Sequence, residues 1–239
     1  MKQEYIEVPV GGFELLERPA GQLLNDFGSG KASPGSGSAA ALLSILAAKM
    51  VVTVCSISLR KDDCINAHKT FEFISSKVIS DIEPRLRFLF EQDAKDFERV
   101  VALRVQRDKS TDVNEKAQCS RDSFDLLQTA TDYTFEVAEL SLELMGFGVA
   151  MFDHGWHAVR GDAGVSISAA MSGVMSSIFI INLNLKTLRR RKYASENLKR
   201  CERIQKQLEE LQMKAFSCVA LSSAESLKSI QLELVAGDV

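Results

Sequence analysis

The stretch Ala163-Gly164-Val165-Ser166-Ile167-Ser168-Ala169-Ala170-Met171-Ser172-Gly173-Val174-Met175-Ser176-Ser177-Ile178-Phe179-Ile180-Ile181-Asn182-Leu183-Asn184-Leu185 contains no charged residue. Its large residues recur at Ile167, Met171, Val174, Ile178, Ile181 and Leu185, the spacing of three and four that one helix face requires. A second row beside it is small: Ser166, Ala170, Gly173 and Ser177. Such a row lets a neighbouring helix approach closely. A second stretch, Ala39 to Leu59, has Lys49 as its one charge and is rich in alanine (Ala40, Ala47, Ala48). Both are long enough to cross a bilayer. Both also end in basic residues on the C-terminal side, Arg60-Lys61 and Lys186 with Arg189-Arg190-Arg191-Lys192. Successive spans run in opposite directions, so one basic end would face outward, against the positive-inside tendency. The reading adopted is two buried central helices, with no membrane; a two-span protein is the competing reading.

Outward from these stretches the pattern stays helical. A short helix is expected over Glu17–Phe27. A longer one is expected over Asp62–Arg107, with apolar positions Phe71, Ile74, Val78, Ile82, Leu86, Leu89, Phe97 and Val100, kinked or divided at Pro84. A turn at 108–112 precedes a helix over Val113–Leu144. Gly146–Gly161 reads as a loop, and Asp162 as the N-cap of the uncharged helix. The last helix, Ser195–Leu227, carries a heptad-like seam at Cys201, Ile204, Leu208, Leu211, Ala215 and Cys218. Residues 1–16 form an N-terminal arm with an extended run, Tyr5–Val10, and 17–232 one helical domain. The fold class is therefore all-α, a single-domain bundle of long helices.

The 239 residues carry a net charge of −3, which calls for no nucleic-acid partner. Five scattered cysteines without a C-x-x-C pair indicate reduced thiols and a cytoplasmic location. His154 and His157 lack a matching third ligand, so no metal is expected.

Three places could carry chemistry. Pro34-Gly35-Ser36-Gly37-Ser38 is a glycine-rich turn feeding a helix, where free N–H groups and the helix dipole suit an anion or a polarised carbonyl. Ser36 or Ser38 could equally be a plain N-cap. Asp93 falls on the apolar face between Leu89 and Phe97, where burial would raise its pKa; a structural ion pair is the alternative. Asp162 opens the uncharged helix. Lys61 ends the first buried one, and Asn184 interrupts an apolar helix end.

These segments, in this order, resemble one family. Pro34–Leu42 resembles the proline–glycine–glycine–glycine–serine opening of the formiminotetrahydrofolate cyclodeaminase / methenyltetrahydrofolate cyclohydrolase family. Asp93-Ala94-Lys95-Asp96-Phe97 is similar to its aspartate-x-x-alanine-phenylalanine segment. Asp162-Ala163-Gly164, followed by the small-residue helix and Asn184-Leu185, is similar to its third signature. The resemblance implies a homodimer with a folate-like small-molecule substrate and no bound cofactor or metal. The reaction would be hydrolysis of 5,10-methenyltetrahydrofolate or cyclodeamination of 5-formiminotetrahydrofolate. It implies Asp93, Asp162 and Lys61 as catalytic groups, with Pro34, Gly35, Ser36, Gly37, Ser38 and Asn184 binding the substrate. Ser36 replaces a glycine of the family pattern, Ile180 an asparagine, and Thr134 a frequent proline. A divergent member that binds another ligand or a partner protein without folate turnover is the alternative.

Overall fold

Gly173 of the second small-residue helix makes room for Ser44, near the start of the first, and the bundle is built around that crossing. The computed structural model describes residues 15–237. Among these residues seven α-helices follow one another: α1 (Ala20–Phe27), α2 (Ser36–Ser58), α3 (His68–Lys77), α4 (Glu83–Lys109), α5 (Val113–His154), α6 (Arg160–Thr187) and α7 (Lys192–Gly237). No strand occurs among the described residues, and the expected run Tyr5–Val10 lies outside them.

α2 and α6 pack together antiparallel. Gly173 of α6 abuts Ala40 and Ser44 near the start of α2. Beyond the other end, Trp156 donates its backbone N–H to Ser58 Oγ at 2.9 Å. The small residues are what allow this: Ala40, Ala47 and Ala48 on α2, and Ala163, Ser166, Ala170, Gly173 and Ser177 on α6, are all buried. A Cβ on Gly173 would run into Ser44 Oγ and lie 3.0 Å from Ser141 Oγ. Buried hydroxyls are satisfied within their own helices or by one another. Ser44 donates to the Ala40 carbonyl (2.9 Å) and lies 2.6 Å from Ser141 Oγ; Ser177 donates to the Gly173 carbonyl (2.8 Å).

Both central helices are long and apolar enough to cross a membrane. In the bundle they are flanked by α4, α5 and α7. Their antiparallel packing also places Arg60-Lys61 and the Lys186–Lys192 run at opposite ends. Lys49, the one charge of α2, pairs with the nearly buried Glu83 at 2.6 Å, and Arg87 joins at 2.9 Å. Burial pushes the Glu83 carboxyl up, but the two cations outweigh it and hold the group below its ordinary value.

Five expectations are corrected. The helix expected over 62–107 begins only at His68, after a 3-10 turn at Asp62–Ala67; it is divided next to Pro84 as expected, by a π-helical turn over Val78–Ile82 that includes Ser80, four positions upstream, whose carbonyl the proline ring crowds. The helix expected to end at Leu144 runs on to His154. Gly146 and Gly148 therefore lie in a helix, not a loop. A Cβ on Gly148 would stand 2.7 Å from both Ile167 Cγ1 and Ser166 Oγ, so that glycine serves close helix packing. Asp162 is not an N-cap: Val159 holds that position without a side-chain bond, and Asp162 lies in the first turn of α6. Ser36 and Ser38 are not N-caps either. Gly35 occupies that position, and the serines begin the helix. The last helix begins at Lys192, earlier than expected, and continues past Leu227.

Candidate functional site

The free N-terminus of α2 is covered by a carboxylate from another helix. Four N–H groups at a helix start lack intrahelical partners and carry the positive end of the dipole. With no side-chain cap from its own chain segment, α2 takes Asp93 of α4 instead. Ser38 Oγ donates to Asp93 Oδ2 at 2.9 Å and lies 3.3 Å from the Phe90 carbonyl. The carboxylate fills the space a side chain at Gly37 would need: a Cβ there would stand 2.7 Å from Asp93 Oδ2 and nearer still to Oδ1. Glycine at 37 is thus required by close approach, not by a turn. Burial raises the Asp93 carboxyl above its ordinary value; the Ser38 hydroxyl and backbone bonds pull it back in part, and nearby Asp96 adds to the rise.

The loop before α2 is tied to the same helix. Ser33 Oγ donates to the Ala94 carbonyl at 3.0 Å, and Gly35 faces Phe97. Pro34 and Ser38 are buried, Gly35 and Gly37 half-buried, and Ser36 exposed. The sequence reading passed over Asp96. It is nearly buried, accepts from Gln92 Nε2 at 2.9 Å, and has its carboxyl raised by burial. Its spacing of three from Asp93 was the available signal.

Asn184 belongs to this end of the molecule, because α6 runs antiparallel to α2 and its C-terminal turns reach the level of the loop. Lys61 and Asp162 do not. Lys61 follows the far end of α2, with Nζ 3.8 Å above the Trp156 ring. Asp162 opens α6 at that same far end. At 1.5 Å per residue, both lie about 25–35 Å along the helix axes from the Asp93 cluster. One chain therefore brings Pro34–Ser38 and Asp93 together, puts the end of α6 at the same pole, and leaves two of the three expected catalytic groups at the opposite one. There, Arg160 Nη1 donates to Glu225 at 2.9 and 2.7 Å, and His157 Nε2 lies 3.4 Å from Glu225.

The sequence model of the formiminotransferase-cyclodeaminase family matches residues 19–203, which includes the loop, Asp93, Asp162 and Asn184. The chain belongs to this family. A methenyltetrahydrofolate cyclohydrolase from Methylorubrum extorquens is 26% identical over 193 residues, 81% of this chain and 89% of that protein. The crystal structure of a formiminotetrahydrofolate cyclodeaminase from Thermotoga maritima matches with a TM-score of 0.73, covering 86% of this chain and 97% of that one at 15% identity. That second likeness is one of fold. The match to the formiminotransferase-cyclodeaminase family ends inside α7, and the rest of that helix lies beyond it.

Proposed function

We propose that this member of the formiminotransferase-cyclodeaminase family is a cytoplasmic enzyme acting on a one-carbon tetrahydrofolate, with hydrolysis of 5,10-methenyltetrahydrofolate as its first reaction. The observation that carries this reading is the Asp93 carboxylate seated on Gly37 and Ser38, beside a loop whose Ser36 is exposed. A methenyl substrate carries an amidinium cation, which a carboxylate attracts. Water attacks the amidinium carbon, and Asp93 takes the proton the water releases. Breaking the carbon–N5 bond then leaves a formyl group on N10: Asp93 returns its proton to N5, and the hydroxyl proton of the adduct passes to solvent as the one net proton released. A carboxyl raised by burial is closer to the working pH and better matched to both transfers. Gly35–Ser38 and Asn184 would hold the pterin or benzoyl carbonyl. Cyclodeamination of a formimino group needs the same shuttle, with ammonia leaving, so both substrates belong in the assay. Similarity to the cyclohydrolase sequence favours the hydrolytic reaction.

The separation of Lys61 and Asp162 from Asp93 supports a homodimer in which two copies lie antiparallel, the Lys61 pole of one beside the Asp93 pole of the other. Apolar side chains point outward for such a contact: Leu46 on α2, and Met175, Phe179 and Leu183 on α6. Methenyl- and formimino-tetrahydrofolate are each incubated with the purified protein and the decay of substrate followed. Turnover of one of them is expected; a folded protein that turns over neither overturns the enzyme reading in favour of a binding role. Mixing inactive Asp93→Asn with inactive Lys61→Ala tests the shared site. In the mixed dimer one of the two sites pairs an intact Asp93 with an intact Lys61 and the other has neither, so activity returns in one site per mixed dimer. Continued inactivity would place Lys61 outside the site.

A further inference from the structure

The outer face of α7 carries a second apolar seam that the bundle does not use. Its inward seam is Cys201, Ile204, Leu208, Leu211, Ala215 and Cys218, all buried or half-buried. About 160° around the helix at 100° per residue runs another row with alternating steps of three and four: Met213, Phe216, Ala220, Ser223, Leu227 and Ile230. Met213, Phe216 and Val219, with Leu227 and Ile230, are each between 56% and 68% exposed. From Ser226 onward every described side chain is exposed, while the helix continues to Gly237. Glu225, held by Arg160 at the far pole, is the last residue tied to the bundle among those described. The three turns beyond it overhang the body. A short helix without tertiary packing is marginal in water, and this one also presents Leu227 and Ile230 to solvent.

We propose that the occupant of this seam is the α7 of a second copy, running antiparallel. The row is self-complementary only in that sense. Turned end for end about the point between Leu221 and Ser222, Met213 meets Ile230, Phe216 meets Leu227, and Ala220 meets Ser223. The small pair lies at the centre, where the helices approach most closely. In this register the overhang of each copy rests on residues 206–217 of the other, the part of α7 that the bundle supports. The seam's flanks are Gln212, Ser217, Val219, Ala224, Ser226 and Gln231, all uncharged. A heterologous helix would be selected by complementary charges at those positions; their absence leaves self-pairing unopposed. The five large exposed side chains hold about 550 Å² of surface, at the upper end for a patch on a monomer. Covered on both copies together with their flanks, the total is about 1,400 Å², within the range of specific interfaces. This contact is separate from the α2 and α6 faces, so it doubles whatever assembly those faces make.

Sedimentation equilibrium of the full chain and of the Phe216→Glu/Leu227→Glu variant gives the test. The expected result is a twofold lower mass for the variant, with cooperative thermal unfolding retained because both side chains are exposed. An equimolar mixture with Phe216→Lys/Leu227→Lys restores the full mass, since position 216 of one copy faces 227 of the other. An equal mass for wild type and variant overturns the proposal, and a mixture that stays at half mass overturns the antiparallel register. Independently of these variants, Ala220→Cys/Ser223→Cys forms reducible covalent dimers on mild oxidation. The five native cysteines are buried and free, so failure of that cross-link also counts against the pairing.

Discussion

Two opposing influences act on the Asp93 carboxyl. Ser38 donates a hydrogen bond that favours the ionised carboxylate; burial favours the neutral acid and prevails. The folded chain therefore keeps a proton that the unfolded chain releases between the ordinary aspartate range and the raised value, and stability falls as pH rises through that window. Asp93→Asn removes this dependence. Chemical denaturation across the window should show a flatter stability profile, while turnover drops by about 10²- to 10⁴-fold, the range for a lost proton-transfer group. Ser38→Ala removes the bond that lowers the carboxyl and so raises it further. The acid limb of the kcat/KM profile should move to higher pH, with about 1 kcal/mol of stability lost. Gly37→Ala has no room beside the carboxylate. It should cost about 1–3 kcal/mol and displace Asp93, read as loss of turnover together with a lower melting temperature.

At the scale of elements, the central pair is set by volume. α2 and α6 approach closely because small residues face each other, and Gly173 lies against Ser44 and Ser141. Gly173→Ala gains helix propensity of about 1 kcal/mol, but it overpacks a site with buried hydroxyls on two other helices. A net loss of about 1–2 kcal/mol in denaturant unfolding is expected. Gly164 on the same helix meets nothing within 4 Å, so Gly164→Ala should leave stability unchanged or raised. The contrast between two glycines of one helix separates packing from propensity. The same distinction applies to Gly148, expected in a loop and found in a helix: glycine in a sequence signals a turn or a close approach, and only the neighbour, here Ser166 with Ile167, decides which.

For the whole molecule, polarity along the bundle axis is the governing feature. One pole holds the loop, Asp93 and the end of α6; the other holds Lys61 over Trp156, Asp162 and the Arg160–Glu225 pair. Arg160→Ala should free the far end of α7 from that pole. Hydrogen exchange is expected to accelerate in the turns around Glu225 while the buried α2 and α6 amides stay protected.

The helical class, the two central helices and the order of the site segments were all legible in the sequence. Each rests on periodicity or on a contiguous motif, and these are local properties of the chain. Asp93 was legible for the same reason, as a charge on an apolar face. The sequence could not say which poles the motifs occupy, because a helix of 23 residues separates its ends by about 33 Å, and only the antiparallel packing of α6 on α2 tells which end of each meets the other. The partner of Asp93, the purpose of Gly37 and the distance from Asp93 to Lys61 and Asp162 were decided there. Contacts between residues 50 or more apart in the chain depend on where the helices lie in space, and no local pattern records that.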